Sequence, residues 1–196
     1  MTAFPTATLF EAAGQWGALP SAIKPVAAGW RLDGPAFPVQ SPPADNLWLH
    51  RAIYAAAPGD VLVVHVGDHH EAGYWGEIMS TAAQVRGLGG LVIDGCVRDQ
   101  ADLALVGFPV FARGLCIRGT GKDRDARGTL GAPVTIGGVT VARGDRIVGD
   151  ADGVVVLREE RVAAILDRAA ARAAKEATVI ERLKGGETTL DIYDLA

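Results

Sequence analysis

Asp94-Gly95-Cys96-Val97-Arg98-Asp99 packs two carboxylates and a guanidinium into six residues, directly after the apolar run Gly90-Leu91-Val92-Ile93. Such a run reads as a buried strand, and α/β folds bind ligands at the carboxyl ends of their strands. Arg98 presents a planar fork that can grip a carboxylate through two hydrogen bonds. Asp99 is a hard oxygen ligand suited to Mg²⁺ or Mn²⁺. Side by side they could hold a 2-oxo acid and stabilise its enolate. The plainer alternative is a helix cap: Asp99 before a helix through Leu103 and Val106, with a surface ion pair worth about 0–1 kcal/mol.

A second stretch, Glu71-Ala72-Gly73-Tyr74-Trp75-Gly76-Glu77, leads from the strand-like run Val61-Leu62-Val63-Val64 into a helix predicted from about Gly76 to Arg86. Glycines ahead of a helix expose backbone N–H groups, and the helix N-terminus adds about half a positive charge. The amides after Gly76 could therefore seat a carboxylate. If the two strands are neighbours, this loop and Arg98-Asp99 share one edge of the sheet. The alternative is an ordinary loop with Glu77 as a favourable first-turn acid. His69-His70 with Glu71 are a poor zinc site, because adjacent side chains diverge. They read as a solvated loop, or as selecting a substrate's distal group. His50, inside a helix, reads as packed or solvated rather than catalytic, and His65 is ambiguous.

The 196 residues suffice for one domain, 1–196, with a substantial core. A net charge of −4 argues against nucleic acid as the main partner. No apolar run is long enough to span a bilayer, and Met1 to Leu9 lacks the basic region and apolar core of a signal peptide. A cytoplasmic protein is the default expectation. Cys96 and Cys116, the only cysteines, read as reduced core residues.

These motifs need a scaffold. A helix is expected over 6–18 and a strand over Trp30–Val39, at an edge or bent because of Pro35 and Pro38. A helix follows through Leu47–Tyr54, then strands at Val61–Val64, Leu91–Ile93 and Phe108–Phe111 with helices between them. That order predicts parallel pairing. The stretch from Gly119 to Gly128 is polar and reads as a long loop. Short strands near Val134–Ile136, Val139–Val141, Ile147-Val148 and Val154–Leu157 are separated by tight turns, which favours antiparallel hairpins. A helix over about 159–184 carries Val162, Leu166, Ala169, Ala173, Ile180 and Leu183 on one stripe. The tail Leu190-Asp191-Ile192-Tyr193 is expected to dock, on this chain or on a neighbouring subunit.

Gly34-Pro35-Ala36-Phe37, Asp45-Asn46-Leu47, Pro58-Gly59-Asp60, Trp75-Gly76-Glu77, the Asp94–Asp99 block, Gly107-Phe108-Pro109-Val110-Phe111-Ala112-Arg113-Gly114 and Gly149-Asp150-x-Asp152-Gly153-Val154 occur in this order. From about Gly34 to Tyr193 the chain resembles the family of the 4-hydroxy-4-methyl-2-oxoglutarate/4-carboxy-4-hydroxy-2-oxoadipate aldolases and the regulator-of-ribonuclease-activity-A proteins. The resemblance implies an α/β fold of the swivelling β/β/α type: a central, mainly parallel sheet, short antiparallel strands and a long C-terminal helix at a subunit interface. It implies a homotrimer, or a hexamer of two trimers, and a metal-dependent pyruvate aldolase with oxaloacetate decarboxylase activity. By this likeness Asp99 holds Mg²⁺ or Mn²⁺. Arg98 binds substrate and steadies the enolate, and the amides of Gly76, Glu77, Ile78 and Met79 hold a carboxylate. A glutamate from the C-terminal helix of an adjacent subunit completes the site. Glu176 is the candidate, an acid on an apolar stripe; its alternative is an ion pair with Arg172.

The expected reaction is retro-aldol cleavage of a 4-hydroxy-2-oxo acid to pyruvate, with a metal-ordered water as the base. Asp102, completing Arg98-Asp99-x-x-Asp102, favours the enzyme branch. The alternatives are a non-catalytic trimeric regulator that binds a ribonuclease, and a related 2-oxo acid decarboxylase. Some relatives are labelled methyltransferases, but no glycine-rich nucleotide loop supports a methyl donor site.

Overall fold

The computed structural model describes residues 4–195. Met1 to Ala3 and Ala196 lie outside the described residues, and with them part of the Met1–Leu9 reading and both ends of the 1–196 domain assignment. The chain begins with α1 (Thr6–Ala12), β1 (Lys24–Pro25), β2 (Leu32–Gln40), α2 (Leu47–Ala55) and β3 (Val61–His65). It continues with α3 (Glu77–Val85), β4 (Gly90–Val97), α4 (Gln100–Val106), β5 (Val110–Leu115) and β6 (Thr129–Leu130). Hairpins β7 (Val134–Ile136) with β8 (Val139–Val141), and β9 (Arg146–Asp150) with β10 (Gly153–Leu157), follow. A 3₁₀ turn at Glu159–Arg161 leads into α5 (Val162–Lys184), and α6 (Thr189–Tyr193) ends the chain.

The fold is a mixed α/β arrangement around a mostly parallel central sheet. The strand order is β1-β5-β4-β3-β2-β9-β10, with β6 beside the end of β2. Pairs β2–β3, β3–β4 and β4–β5 are parallel. Alternation along these strands builds two cores. Leu62, Val64, Leu91 and Ile93 face α2, α3 and α4. Val61, Val63, Val92 and Phe111 face the β7–β8 hairpin and Ile147, Val154 and Val156 of β9–β10. Strands buried on both faces read as continuous apolar runs, which is why Val61–Val64 shows no alternation. The far face of β9–β10, through Val148, Val155 and Leu157, packs on α1 and on Ile165 and Ala169 of α5.

The structure corrects several expectations. Helix α1 stops at Ala12, because Gly14 and Gln15 take left-handed conformations (φ 82° and 58°). β2 is interior, not an edge. It pairs with β9 over Leu32–Pro35 and with β3 from Ala36 onward, so the partner changes between Pro35 and Ala36. Pro38 falls between the β9 pairing and the β6 pairing at Val39, where no ladder bond needs its N–H. β4 continues past Ile93 to Val97 through an irregularity in its pairing with β5, so Asp94 lies within the strand. The apolar stripe of α5 is covered only in its first half, and Ile180 and Leu183 are exposed. The tail is a short helix closed by a Thr188–Asp191 capping box, with Leu190 and Tyr193 exposed.

Leu62 is fully buried in the core beneath the helices. Leu62→Ala should lower unfolding stability by about 2–5 kcal/mol, read as a fall in the urea midpoint at unchanged slope.

Candidate active site

The parallel pairing of β3 with β4 sets the loop after β3 beside the turn after β4 at one sheet edge. The loop is then tied to β4 bond by bond. Gly73 bridges Cys96, the Tyr74 N–H donates to the Cys96 carbonyl, and the Arg98 N–H donates to the Trp75 carbonyl. Space at these contacts is tight. A Cβ on Gly73 would meet the Cys116 carbonyl oxygen at 2.5 Å, and one on Gly95 would press on Val66 and the Tyr74 ring. Trp75 stacks on Phe108 and donates its indole N–H to Ser80 Oγ at 2.6 Å, which anchors the loop to α3.

Asp99 occupies the residue before α4 in a left-handed conformation (φ 62°, ψ 41°), unusual for a non-glycine residue. Its carbonyl accepts the Leu103 N–H, as an N-cap residue's does, but its side chain makes no capping bond. The carboxylate turns instead toward the N-terminus of α3. Oδ2 accepts the Glu77 N–H at 3.3 Å and lies 3.7 Å from Arg98 Nε. A Cβ on Gly76 would sit 2.2 Å from that oxygen, so only glycine admits the carboxylate there. The strained backbone and the close approach hold Asp99 where a surface cap would not need to be.

Gly76, Ile78, Met79, Arg98 and Asp99 line one cavity of about 190 Å³. Glu77 is not among the lining residues, and its amide is already donated to Asp99. The amides of Ile78 and Met79, in the first turn of α3, have no partner within the helix. Glu176 is not brought to this cavity by its own chain. It pairs with Arg172 at 2.8 Å, and Arg172 also lies 3.9 Å from Glu11. Asp102 is exposed in the first turn of α4.

Three lining residues were not read as part of the site: Asn46, Lys122, and His50, which the sequence reading took as packed or solvated. Asn46, the residue before α2, and His50, in α2, are four residues apart, about one turn. The Asn46 side-chain N–H donates to the Tyr74 carbonyl at 2.9 Å, which leaves its buried Oδ1 without a hydrogen-bond partner. Lys122 arrives from the polar loop. Buried Asp45 pins that loop by accepting the Asp123 N–H at 2.6 Å, and the Gly121 N–H bonds to the Ala44 carbonyl. The detectable signal was Asp45-Asn46-Leu47, which carried the family resemblance but was given no role in the site. Burial, reinforced by Lys122 and opposed by Asp45, pushes the His50 imidazole below its ordinary pKa. Tyr74 donates its hydroxyl to the His69 carbonyl at 2.6 Å and accepts the Ala44 N–H at 2.8 Å, and burial pushes its phenol up. His69 thus contributes backbone, and His70 turns its ring to the Asp94 carbonyl at 2.7 Å. Both cysteines are free, and burial raises the Cys96 thiol pKa.

Asp94 braces the edge from beneath. It accepts from Arg113 Nε at 2.5 Å and lies 3.6 Å from His65 Nδ1, in a side chain 5 % exposed. Burial pushes this carboxyl up, but His65 and the Arg113 hydrogen bond and charge outweigh burial, so it titrates below its ordinary value. Its stabilising contribution is whole above the unfolded value near about 3.9 and is lost as pH falls through the lower folded value. Asp94→Asn should cost about 1–3 kcal/mol near neutral pH. In thermal melts taken at successively lower pH, the gap to wild type should close on the acid side.

The chain matches the RraA-like family (Aldolase/RraA) over residues 6–156. It is 35 % identical over 165 residues to a Halalkalibacterium halodurans protein that carries the provisional name 4-hydroxy-4-methyl-2-oxoglutarate aldolase, covering 84 % of this chain and 78 % of that one. An uncharacterised protein from Pseudomonas syringae pv. tomato superposes with a TM-score of 0.81 at 31 % identity, covering 95 % and 90 % of the two chains. The RNA-processing inhibitor RraA from Thermus thermophilus superposes with a TM-score of 0.71 at 25 % identity, covering 80 % and 93 %. Motif order, sheet topology and these likenesses agree, and the chain belongs to the RraA-like family.

Proposed function

We propose that this protein is a divalent-metal-dependent pyruvate aldolase that cleaves 4-hydroxy-2-oxo acids carrying further carboxylates, with oxaloacetate decarboxylation as a side reaction. The observation that carries this reading is the Asp99 carboxylate, held in a strained backbone against Gly76, beside Arg98 and the N-terminus of α3, in one cavity.

The donor set suits Mg²⁺ or Mn²⁺. Among the described residues no three His, Cys, Asp or Glu side chains group to hold an ion, which disfavours a cage of protein ligands. Mg²⁺ keeps several waters and accepts one or two carboxylates. Asp99, with a side chain 39 % exposed, meets that requirement. When bound, the ion supplies Lewis-acid polarisation of the 2-oxo group. Arg98 grips the adjacent carboxylate through its fork. The free amides of Ile78 and Met79 offer the donors and positive end of a helix to the same group. As the C3–C4 bond breaks, negative charge grows on the enolate oxygen, and the Arg98 cation stabilises it more than the ground state. Decarboxylation of oxaloacetate yields the same enolate, so one cavity serves both reactions.

The reading includes a homotrimer or a hexamer. Exposed Ile78 lines the cavity, exposed Leu115 and Ile117 (94 % exposed) line a second hollow with Arg98 and Asp99, and the second half of the α5 stripe is uncovered, which supports a partner copy there. Glu176, borne on α5, would be the acid delivered to a neighbour's cavity. No helix of the described residues is long and apolar enough to cross a membrane, and two free thiols fit a reducing cytoplasm. The competing reading, a regulator that binds a ribonuclease, is supported by the likeness to the Thermus inhibitor. It does not account for the Asp99 carboxylate fitted into the space at Gly76 beside Arg98.

Pyruvate release from oxaloacetate and from 4-hydroxy-4-methyl-2-oxoglutarate should require Mg²⁺ or Mn²⁺ and stop with EDTA. Arg98→Ala should lower turnover by at least about 100-fold, and Asp99→Ala should abolish it. Inactivity on both acids with metal present, together with capture of a ribonuclease, would establish the regulator instead. Gly76→Ala, which displaces the Asp99 carboxylate, should weaken Mn²⁺ binding about 10–100-fold by calorimetry while the protein stays folded.

A further inference from the structure

Retro-aldol cleavage needs a proton acceptor for the substrate's 4-hydroxyl, and the cavity lining narrows the choice. Asp99 is the proposed metal ligand. The Tyr74 hydroxyl is committed to the His69 carbonyl and the Ala44 N–H. Lys122 has three donors and no acceptor as the ammonium ion. Among the described lining residues this leaves one side chain with a free basic nitrogen, His50, while Glu176, the acid proposed to come from a neighbour, is already paired with Arg172 at 2.8 Å. It stands on α2, a different element from the loop and turn that carry Gly76, Arg98 and Asp99. A substrate anchored by its pyruvyl end at Arg98 would present carbon 4 two bonds from the 2-oxo carbon, within a cavity of only about 190 Å³.

On the aldolase reading above, we propose that His50 is the general base that removes the 4-hydroxyl proton. The imidazole takes the proton, and the C4–O bond becomes a carbonyl. The C3–C4 electron pair moves to form the enolate of pyruvate. His50 then returns its proton to solvent and the enolate carbon takes one from water, so protons and electrons balance. This replaces the metal-ordered water expected from sequence. The groups facing His50 suit a base. Burial and Lys122 favour the neutral imidazole, Asp45 opposes them, and the first two prevail. Neutral His50 is competent near neutral pH, where a base must accept rather than hold a proton. Lys122 and Asp45 sit together because Asp45 pins the loop that carries Lys122.

Decarboxylation of oxaloacetate breaks a carbon–carbon bond with no hydroxyl to deprotonate, so the two reactions separate the roles. In the metal-loaded holoenzyme, His50→Gln should slow cleavage of 4-hydroxy-4-methyl-2-oxoglutarate about 100-fold and leave oxaloacetate decarboxylation within about threefold. Lys122→Gln removes a cation that favours neutral His50, so the acid limb of the cleavage profile should move to higher pH. The His50 ring resonances, followed by NMR, should shift when pyruvate is added. Equal loss of both reactions in His50→Gln, or no loss of either, overturns the assignment while the aldolase reading stands. A wild type inactive on both acids overturns the two together.

Discussion

The parallel register of β3 against β4, Val61 beside Gly90 through Val64 beside Ile93, sets how closely two segments can approach at the sheet edge. Parallel strands deliver their following loops to the same side. Here one loop begins a helix at Gly76 and the other turns at Arg98-Asp99. A slip of one residue in either strand would turn every side chain to the other face. It would bury Asp94 among the helices and move Leu91 and Ile93 out of that core. The register is held by apolar burial on both faces, so the energy that orders the cavity is the ordinary energy of the core.

Once the loops are side by side, close contact decides the chemistry. Gly76 has no Cβ, and the space it leaves is taken by the Asp99 carboxylate. Asp99 adopts a left-handed backbone that costs of order 1 kcal/mol or more for a non-glycine residue. The Leu103 N–H bond to its carbonyl and the start of α4 hold it there. A carboxylate at the N-terminus of α3 gains from the helix field. That gain is modest at a partly solvated site, so the arrangement is organised more for reach than for stability.

Around this centre the protein spends buried polar groups on fixing loops. Asp45, 4 % exposed, is engaged with the Leu47 and Asp123 amides and ties the polar loop to the start of α2. Asp94 is engaged with Arg113 at 2.5 Å and braces β4 against β5. Tyr74 joins the residues before α2 to the segment before α3 through two backbone bonds. Each is a buried polar group with its partners supplied, which favours a single arrangement. Among the described residues the exceptions are the orphaned Oδ1 of Asn46, on the cavity lining, and Nδ1 of His65, 3.6 Å from Asp94.

Much was written in the chain. Val61–Val64 and Gly90–Ile93 announced buried strands through unbroken apolar runs, and glycines flanking α3 announced its ends. The Arg98-Asp99 turn and the loop before Gly76 were legible as chemistry because their residue types suit carboxylates and hard cations. Local pattern set these elements because each rests on contacts close in sequence. Pro35 and Pro38 allowed an edge or a bend, and the edge does not hold, since nothing local says that β2 changes partners midway. His50, Asn46 and Lys122 were invisible as site residues. An asparagine that starts a helix, a histidine one turn later and a lysine in a polar loop have ordinary local roles. They line the cavity because Asp45 and Tyr74 join segments 28 to 78 residues apart in the chain. Elements and the chemistry their residue types suit follow from neighbours along the chain, whereas the set of groups that meet in one cavity depends on long-range packing and buried hydrogen bonds, which only the tertiary structure decides.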